Sequence, residues 1–177
     1  MNKIFRHKKV MILTGVMVII TFLIACTSIL LLYNNAQKDI YNRLTDIVLR
    51  EKSFTLSLLK DNTFTENHIV EHLRNNITLG HYGEIVYAKE IKDSIEFIIT
   101  SKQSIQNLKI ANNIPLATAM QRALNKETGF TKAIDYNGIE VYAAYTFVEK
   151  LNWGIVAKIP TSEINKPYYL AIFIVFI

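Results

Sequence analysis

One cysteine, three prolines and six glycines are all that 177 residues contain of the residue types that staple or break a chain. The lone Cys26 excludes a disulfide framework and a cysteine-based zinc site within one chain. No Gly/Ser-rich or Pro-rich linker and no internal repeat divides the sequence. None of the patterns G-x-x-x-x-G-K-[ST], G-x-G-x-x-G or G-x-S-x-G occurs, so the chain offers no phosphate loop and no nucleophile elbow. A nucleic-acid-binding surface is excluded as well. The net charge of +5 comes almost entirely from Lys3, Arg6, Lys8 and Lys9, and beyond them the charges nearly cancel. Half the residues are hydrophobic and one fifth charged, which excludes a disordered chain.

The sequence is rich in long apolar runs. Residues 10–33 carry no charge, enough to cross a ~30 Å hydrocarbon core at ~1.5 Å per residue. Four cations precede this run. The positive-inside rule therefore keeps residues 1–9 in the cytoplasm and exports the chain beyond the run, as in a bacterial inner membrane. Residues 23–26 (LIAC) also fit a bacterial lipobox with a lipidated Cys26, but the apolar run continues through 29–32, and an uncleaved spanning helix fits its length better. A second run, 168–177 (YYLAIFIVFI), comes after Lys166-Pro167. It reads as the first half of another spanning helix beginning at 167, which makes the chain a piece of a longer protein or the remnant of one.

Between the two runs, residues 34–166 read as one exported domain of ordinary size. Residues 34–60 suit a single long helix continuing from the membrane span. Tyr33, Ile40, Ile47 and Phe54 recur every seven residues with Leu44 and Leu58 interleaved, and Gln37 and Glu51 interrupt the second set. Such a seam serves either packing on the helix's own domain or a homodimer through 33–58. A short helix over 65–76 comes next, capped by Thr65. From 83 to 160 the pattern turns to β, with strands over 84–89, 94–100, 130–136, 139–147 and 153–159 and a helix over 115–125 starting at Pro115. Asn137-Gly138 is a hairpin signal. The expected fold is α+β: a long N-terminal helix packed on an antiparallel sheet.

Two sets of residues carry candidate chemistry. His68, Glu71 and His72 match H-x-x-E-H, an inverted zincin pattern, and on a helix the two histidines share a face. A metallopeptidase needs a third protein ligand, and none is apparent in the sequence, so a solvated helix face is the simpler reading and no metal or cofactor is assigned. The second set lies in the sheet region. Tyr142 and Tyr145 point to opposite faces of their strand. One sheet face packs on the long helix, and the other suits a pocket for a small polar ligand, drawing on Tyr87, Arg122, Asp135, Tyr142, Tyr145 and Lys158. The alternative is ordinary strand aromatics.

Segments 83–88 (GEIVYA), 115–117 (PLA), 120–124 (MQRAL), 127–129 (ETG), 135–138 (DYNG), 141–145 (VYAAY) and 151–159 (LNWGIVAKI) occur in an order that resembles the Cache-like, PAS-like extracytoplasmic sensor domains of bacterial membrane receptors. The resemblance covers about half the chain, and the usual glycine-rich opening is reduced to 81–84 (HYGE). It implies a PAS-like antiparallel sheet backed by a long helix, and a small-molecule ligand. It also implies a cytoplasmic histidine kinase, diguanylate cyclase, phosphodiesterase or chemoreceptor output domain that these residues do not include. A free-standing membrane-anchored binding module is the alternative function.

Overall fold

The computed structural model describes residues 2–60, 65–76, 79, 83–100, 108–111 and 114–175. Residues 81 and 82 of the expected sheet opening lie outside these. The elements are α1 (Asn2–Leu58), α2 (Glu66–Asn76), β1 (Glu84–Ile91), β2 (Ser94–Thr100), β3 (Lys109–Ala111), α3 (Thr118–Leu124), β4 (Gly129–Ile134), β5 (Glu140–Val148), β6 (Trp153–Pro160) and α4 (Thr161–Val175). The chain forms two compact units, Met1–Gln37 with Ile164–Ile177, and Lys38–Glu163.

In the first unit the uncharged run is helical throughout, and its side chains from Val10 to Leu32 are exposed except for the half-buried Ala25, Cys26 and Ile29. It belongs to one helix long and apolar enough to cross a membrane. The threonine hydroxyls in the run are satisfied locally: Thr14 donates to Val10 O at 3.0 Å, Thr21 to Val18 O at 2.9 Å, and Thr27 to Leu23 O and Ile24 O at 2.9 Å. That is the arrangement a polar group needs where no water is present. Tyr33 and Tyr168 meet edge to face, with centroids 5.3 Å apart. Helix α4 starts at Thr161, six residues ahead of the start expected at 167, and carries Pro167 inside it. Proline has no N–H to offer the carbonyl of Glu163 one turn back, and a helix tolerates this at the cost of a bond.

The second unit is a six-stranded sheet in the order β3-β2-β1-β6-β5-β4, antiparallel throughout. Strands β1, β6 and β5 occupy the middle and are buried on both faces, which is why their sequences read as near-continuous apolar runs. One face carries Val86, Ala88, Phe97, Val141, Tyr145 and Val156 against α3. The other faces α1, where Glu51 accepts a hydrogen bond from Tyr87 and Tyr41 packs edge to face on Phe130. The β1–β2 register slips between Tyr87 and Ala88. This bulge lets Phe97 and Ile99, two apart in sequence, be buried on different faces.

Of the seven-residue seam of α1, Leu44 and Ile47 are buried inside this unit, together with the neighbouring Val48. Thr65 caps α2 weakly, its hydroxyl 3.5 Å from His68 N, while Ile69 and Leu73 form the buried stripe of that helix.

Three expectations need correction. The helix placed at 115–125 covers only Thr118–Leu124, because Ala117 turns into the left-handed region (φ 54°) to bury its methyl group, and the Pro115 segment stays outside the helix. Strand β3 was not expected, since its three residues pair only with β2 and carry little pattern of their own. The Asn137-Gly138 hairpin has a longer loop than a two-residue turn, as the ladder closes at Ile134 and Glu140. Asp135 takes over the loop: its Oδ1 accepts N–H bonds from Asn137 (2.8 Å) and Ile139 (2.9 Å). Gly138 provides the positive φ of 77° that the turn needs.

Candidate functional site

A cavity lies between α3 and the sheet face it covers. Val86, Phe97, Ala117, Ala119, Met120, Ile134, Val141, Ala143 and Val156 make it apolar, and Asp135, Tyr136 and Lys158 close its polar end. About 20 Å³ is open to water centres, room for little more than a single water. Gly154 sets the depth of α3 over the sheet. A Cβ there would come 2.6 Å from Met120 Sδ and 3.1 Å from Ala123 Cβ, so only glycine permits this approach.

The polar end is assembled from two strands, β1 and β6, and the turn after β4. Strand pairing sets Glu84 opposite Lys158 and Lys158 opposite Ala143, all on the α3 side. The Lys158 ammonium lies 2.5 Å from Asp135 Oδ2 and 3.0 Å from Glu84 Oε2, and 3.7 Å from the centroid of the Tyr136 ring. The Tyr136 hydroxyl donates to Glu84 Oε1 at 2.5 Å. All three charged side chains are only 5–6% exposed, deep enough that each charge depends on its partners. Burial pushes the Tyr136 phenol far above its ordinary value, and the hydrogen bond to the Glu84 carboxylate and its charge add to this.

Of the six residues read from the sequence, Asp135 and Lys158 line the cavity together. Tyr145 belongs to the same sheet face and core cluster, and the Arg122 guanidinium stands 4.9 Å over its ring. Burial raises the Tyr145 phenol, and the Arg122 charge opposes the shift. Arg122 itself is engaged by Glu127 at 2.8 Å and half exposed, so it sits at the outer end of α3 and does not line the cavity. Tyr87 and Tyr142 are on the opposite face. Tyr87 donates to Glu51 Oε2 at 3.0 Å and meets Trp153 edge to face. Tyr142 stacks on Phe130 at 6.1 Å. Both tyrosines therefore serve the contact with α1.

Glu84 and Tyr136 belong to the cluster and were not among the candidates. Acid at the start of one strand opposite lysine in an otherwise apolar strand was the available signal, but it required knowing that β1 pairs with β6.

His68, Glu71 and His72 are exposed on α2, and the His72 ring lies 5.8 Å from that of Phe54. Among the described residues, no three His, Cys, Asp or Glu side chains are grouped so that they could hold a metal ion.

The class that this architecture defines is an α+β domain with a long N-terminal helix on one side of an antiparallel sheet and a small cavity on the other. The crystal structure of the sensory domain of the Campylobacter jejuni chemoreceptor Tlp3 (CcmL) has the same fold. The match has a TM-score of 0.51 at 14% sequence identity, and covers 79% of this chain. The chain spans about three fifths of that domain, 61% of its length. No protein-family model matches the chain, and no curated protein matches it.

Proposed function

We propose that the chain is the sensor portion of a bacterial membrane signal-transduction receptor, with a Cache-like, PAS-like domain that takes a small molecule by widening the water-sized cavity under α3. One observation carries the reading. Strand β6 contributes Val156 and Lys158 to the cavity and passes into α4 with no linker, Pro160 ending the strand and Thr161 starting the helix. A ligand that shifts β6 shifts the start of that helix. Helix α1 gives the sheet a second continuous connection toward the apolar run. Signalling then requires two arrangements of β6 and α1 with different affinity for the ligand.

In this reading residues 1–9 are cytoplasmic, 10–33 span the inner membrane, 34–166 are extracytoplasmic and 167–177 enter a second span. A homodimer through 33–58 belongs to it as well: Leu44 and Ile47 are covered within their own domain, and the half-buried Ile40 together with the exposed part of Phe54 is the portion of the seam offered to a partner. The output domain lies beyond residue 177, and the downstream nucleotide sequence tests for a kinase, cyclase, phosphodiesterase or chemoreceptor module.

The direct test is a thermal-shift screen of the full chain in detergent against small metabolites of every charge class. A ligand of the cavity raises the melting temperature in proportion to the logarithm of its concentration well above Kd. Ala143→Val, which adds two methyl groups to the cavity wall, abolishes the shift. A folded protein that no compound stabilises overturns the proposal.

A further inference from the structure

We propose that the turn between β4 and β5 rests on the lipid surface, with Ile139, and Ile134 beside it, in the headgroup layer of the bilayer. The inference rests on the reading of residues 10–33 and 168–177 as membrane-spanning.

Chain geometry puts the turn within reach. It closes the end of the sheet from which α4 leaves. Val141 pairs with Pro160, and the Thr161 hydroxyl donates to Glu140 O at 3.2 Å and to its Oε2 at 3.0 Å. Seven residues of helix then lead from Thr161 to Tyr168, where the second apolar run begins. That is about 10 Å of rise. Headgroups add about 5–7 Å to each side of the hydrocarbon core, which leaves about 3–5 Å, little more than one residue, before Thr161. The five residues 135–139 extend the hairpin beyond its last ladder pair, Ile134 with Glu140.

The turns at the two ends of the sheet differ in chemistry. At the far end the β1–β2 turn exposes Lys92 and Asp93, and the β5–β6 turn exposes Glu149 and Lys150. Charged tips of this kind stay in water. The β4–β5 turn exposes Asn137, Gly138 and Ile139 instead, with Ile139 46% and Ile134 37% exposed. Its one charged side chain, Asp135, is buried and held by Lys158, and Glu140 beside it pairs with Lys132 at 3.0 Å. No unpaired charge therefore holds this tip away from an apolar phase, and removing the isoleucines from water is favourable.

The backbone of the turn is already paired. Asp135 N donates to Ile139 O at 2.9 Å and Gly138 N to Asp135 O at 3.1 Å. Asn137 N and Ile139 N both donate to Asp135 Oδ1. Paired amides are what a segment needs in order to leave water, and a turn held this way has little freedom left to lose on docking. Asp135 also holds Lys158 of β6, so the lipid contact bears on the strand that leads into α4.

The test is spin labelling of the full chain in vesicles of phosphatidylethanolamine and phosphatidylglycerol. Cys26→Ser removes the natural thiol, and single labels go to Ile139→Cys, Asn137→Cys, Ile91→Cys at the far end of the sheet, and Val18→Cys in the first apolar run. Each label is read by the ratio of its collisions with oxygen, which concentrates in lipid, to those with a water-soluble nickel chelate. The expected ratio in the turn is at least threefold above that of Ile91→Cys, with Val18→Cys higher still. A high ratio at Asn137→Cys alone also supports the contact, because that variant keeps Ile139. Turn labels that match Ile91→Cys while Val18→Cys reports lipid overturn the inference and leave the spanning reading intact. Val18→Cys matching Ile91→Cys overturns the spanning reading and the inference with it. Turn labels shielded from both reagents show that protein covers the turn, and overturn lipid as its occupant.

Discussion

Lys158 reaches past the neighbouring strand to Asp135, 2.5 Å away in the turn after β4, and so ties the strand that leads into α4 to the hairpin on the far side of β5. Neither residue is free to reorganise. Asp135 is fixed by two backbone N–H groups, and Lys158 by a second carboxylate and an aromatic face.

Lys158→Met should therefore be strongly destabilising. It leaves two buried carboxylates without their shared cation, a class of change that costs about 3–5 kcal/mol. Combining it with Asp135→Asn and Glu84→Gln should recover part of the loss, because the neutral groups no longer repel. Denaturant unfolding of the full chain in detergent measures both. A single variant as stable as the original would show that the pair contributes nothing.

Gly154→Ala probes the seating of α3. The new methyl meets the flexible end of Met120 and the Cβ of Ala123, so α3 must lift by a few tenths of an ångström. Overpacking of this kind costs about 1–3 kcal/mol. Gly138→Ala, by contrast, meets no atom but must hold φ near 77°, at a cost of about 1–2 kcal/mol. Only the first substitution should alter ligand affinity in the cavity, so thermal shifts with and without ligand separate the two.

Alkaline pH provides a test of the buried phenols. Burial, reinforced by Glu84 at Tyr136 and by Glu51 at Tyr87, holds both far above their ordinary 10.0. Above pH 10 the unfolded chain gives up these protons and the folded one keeps them. Stability is therefore full below 10.0 and falls as pH rises beyond it. Tyrosinate absorbance from these two residues should appear together with unfolding. The double variant Tyr87→Phe and Tyr136→Phe should lose stability less steeply in that range. Ionisation well before unfolding would show that these phenols are not held neutral by the fold.

Much of the sheet could be read from local pattern, because β-rich runs, two of them joined by Asn137-Gly138, identify strands without reference to partners. The hidden part depends on pairing. Central strands buried on both faces do not reveal which parity faces α1, so Tyr87 and Tyr142 were grouped with Asp135 and Lys158 although they point the other way. Glu84 reads as the polar start of a strand until β1 is set beside β6. The link between Tyr136 and Glu84 joins residues 52 apart in sequence. Ala117 was misread for a different reason: a left-handed alanine has no local signal, and tertiary burial of its methyl group overrides the helix expected from Pro115.

The junction between β6 and α4 responds to acid. Thr161 opens α4 and donates to Glu140, to the backbone oxygen at 3.2 Å and to Oε2 at 3.0 Å, while Lys132 holds Oε1 at 3.0 Å. Hydrogen bonding to Lys132 first, and to Thr161 next, keeps the Glu140 carboxyl below its ordinary 4.5. A carboxyl whose pKa is depressed by folding stabilises the folded state above its unfolded value, and that contribution fades as pH falls through the folded one. The loss therefore begins near 4.5 and continues below it. Glu140 is exposed, so the effect on global stability is small, and the local consequence is the sharper observable. Glu140→Gln keeps an acceptor for Thr161 and has no proton to gain, so hydrogen exchange at the backbone amides of 161–163 should become independent of pH below 4.5 after correction for the intrinsic rate. In the original sequence the same amides should open progressively as the carboxyl protonates. Equal pH dependence in both proteins would remove Glu140 as the clasp of this junction and leave the strand-to-helix connection to the backbone alone.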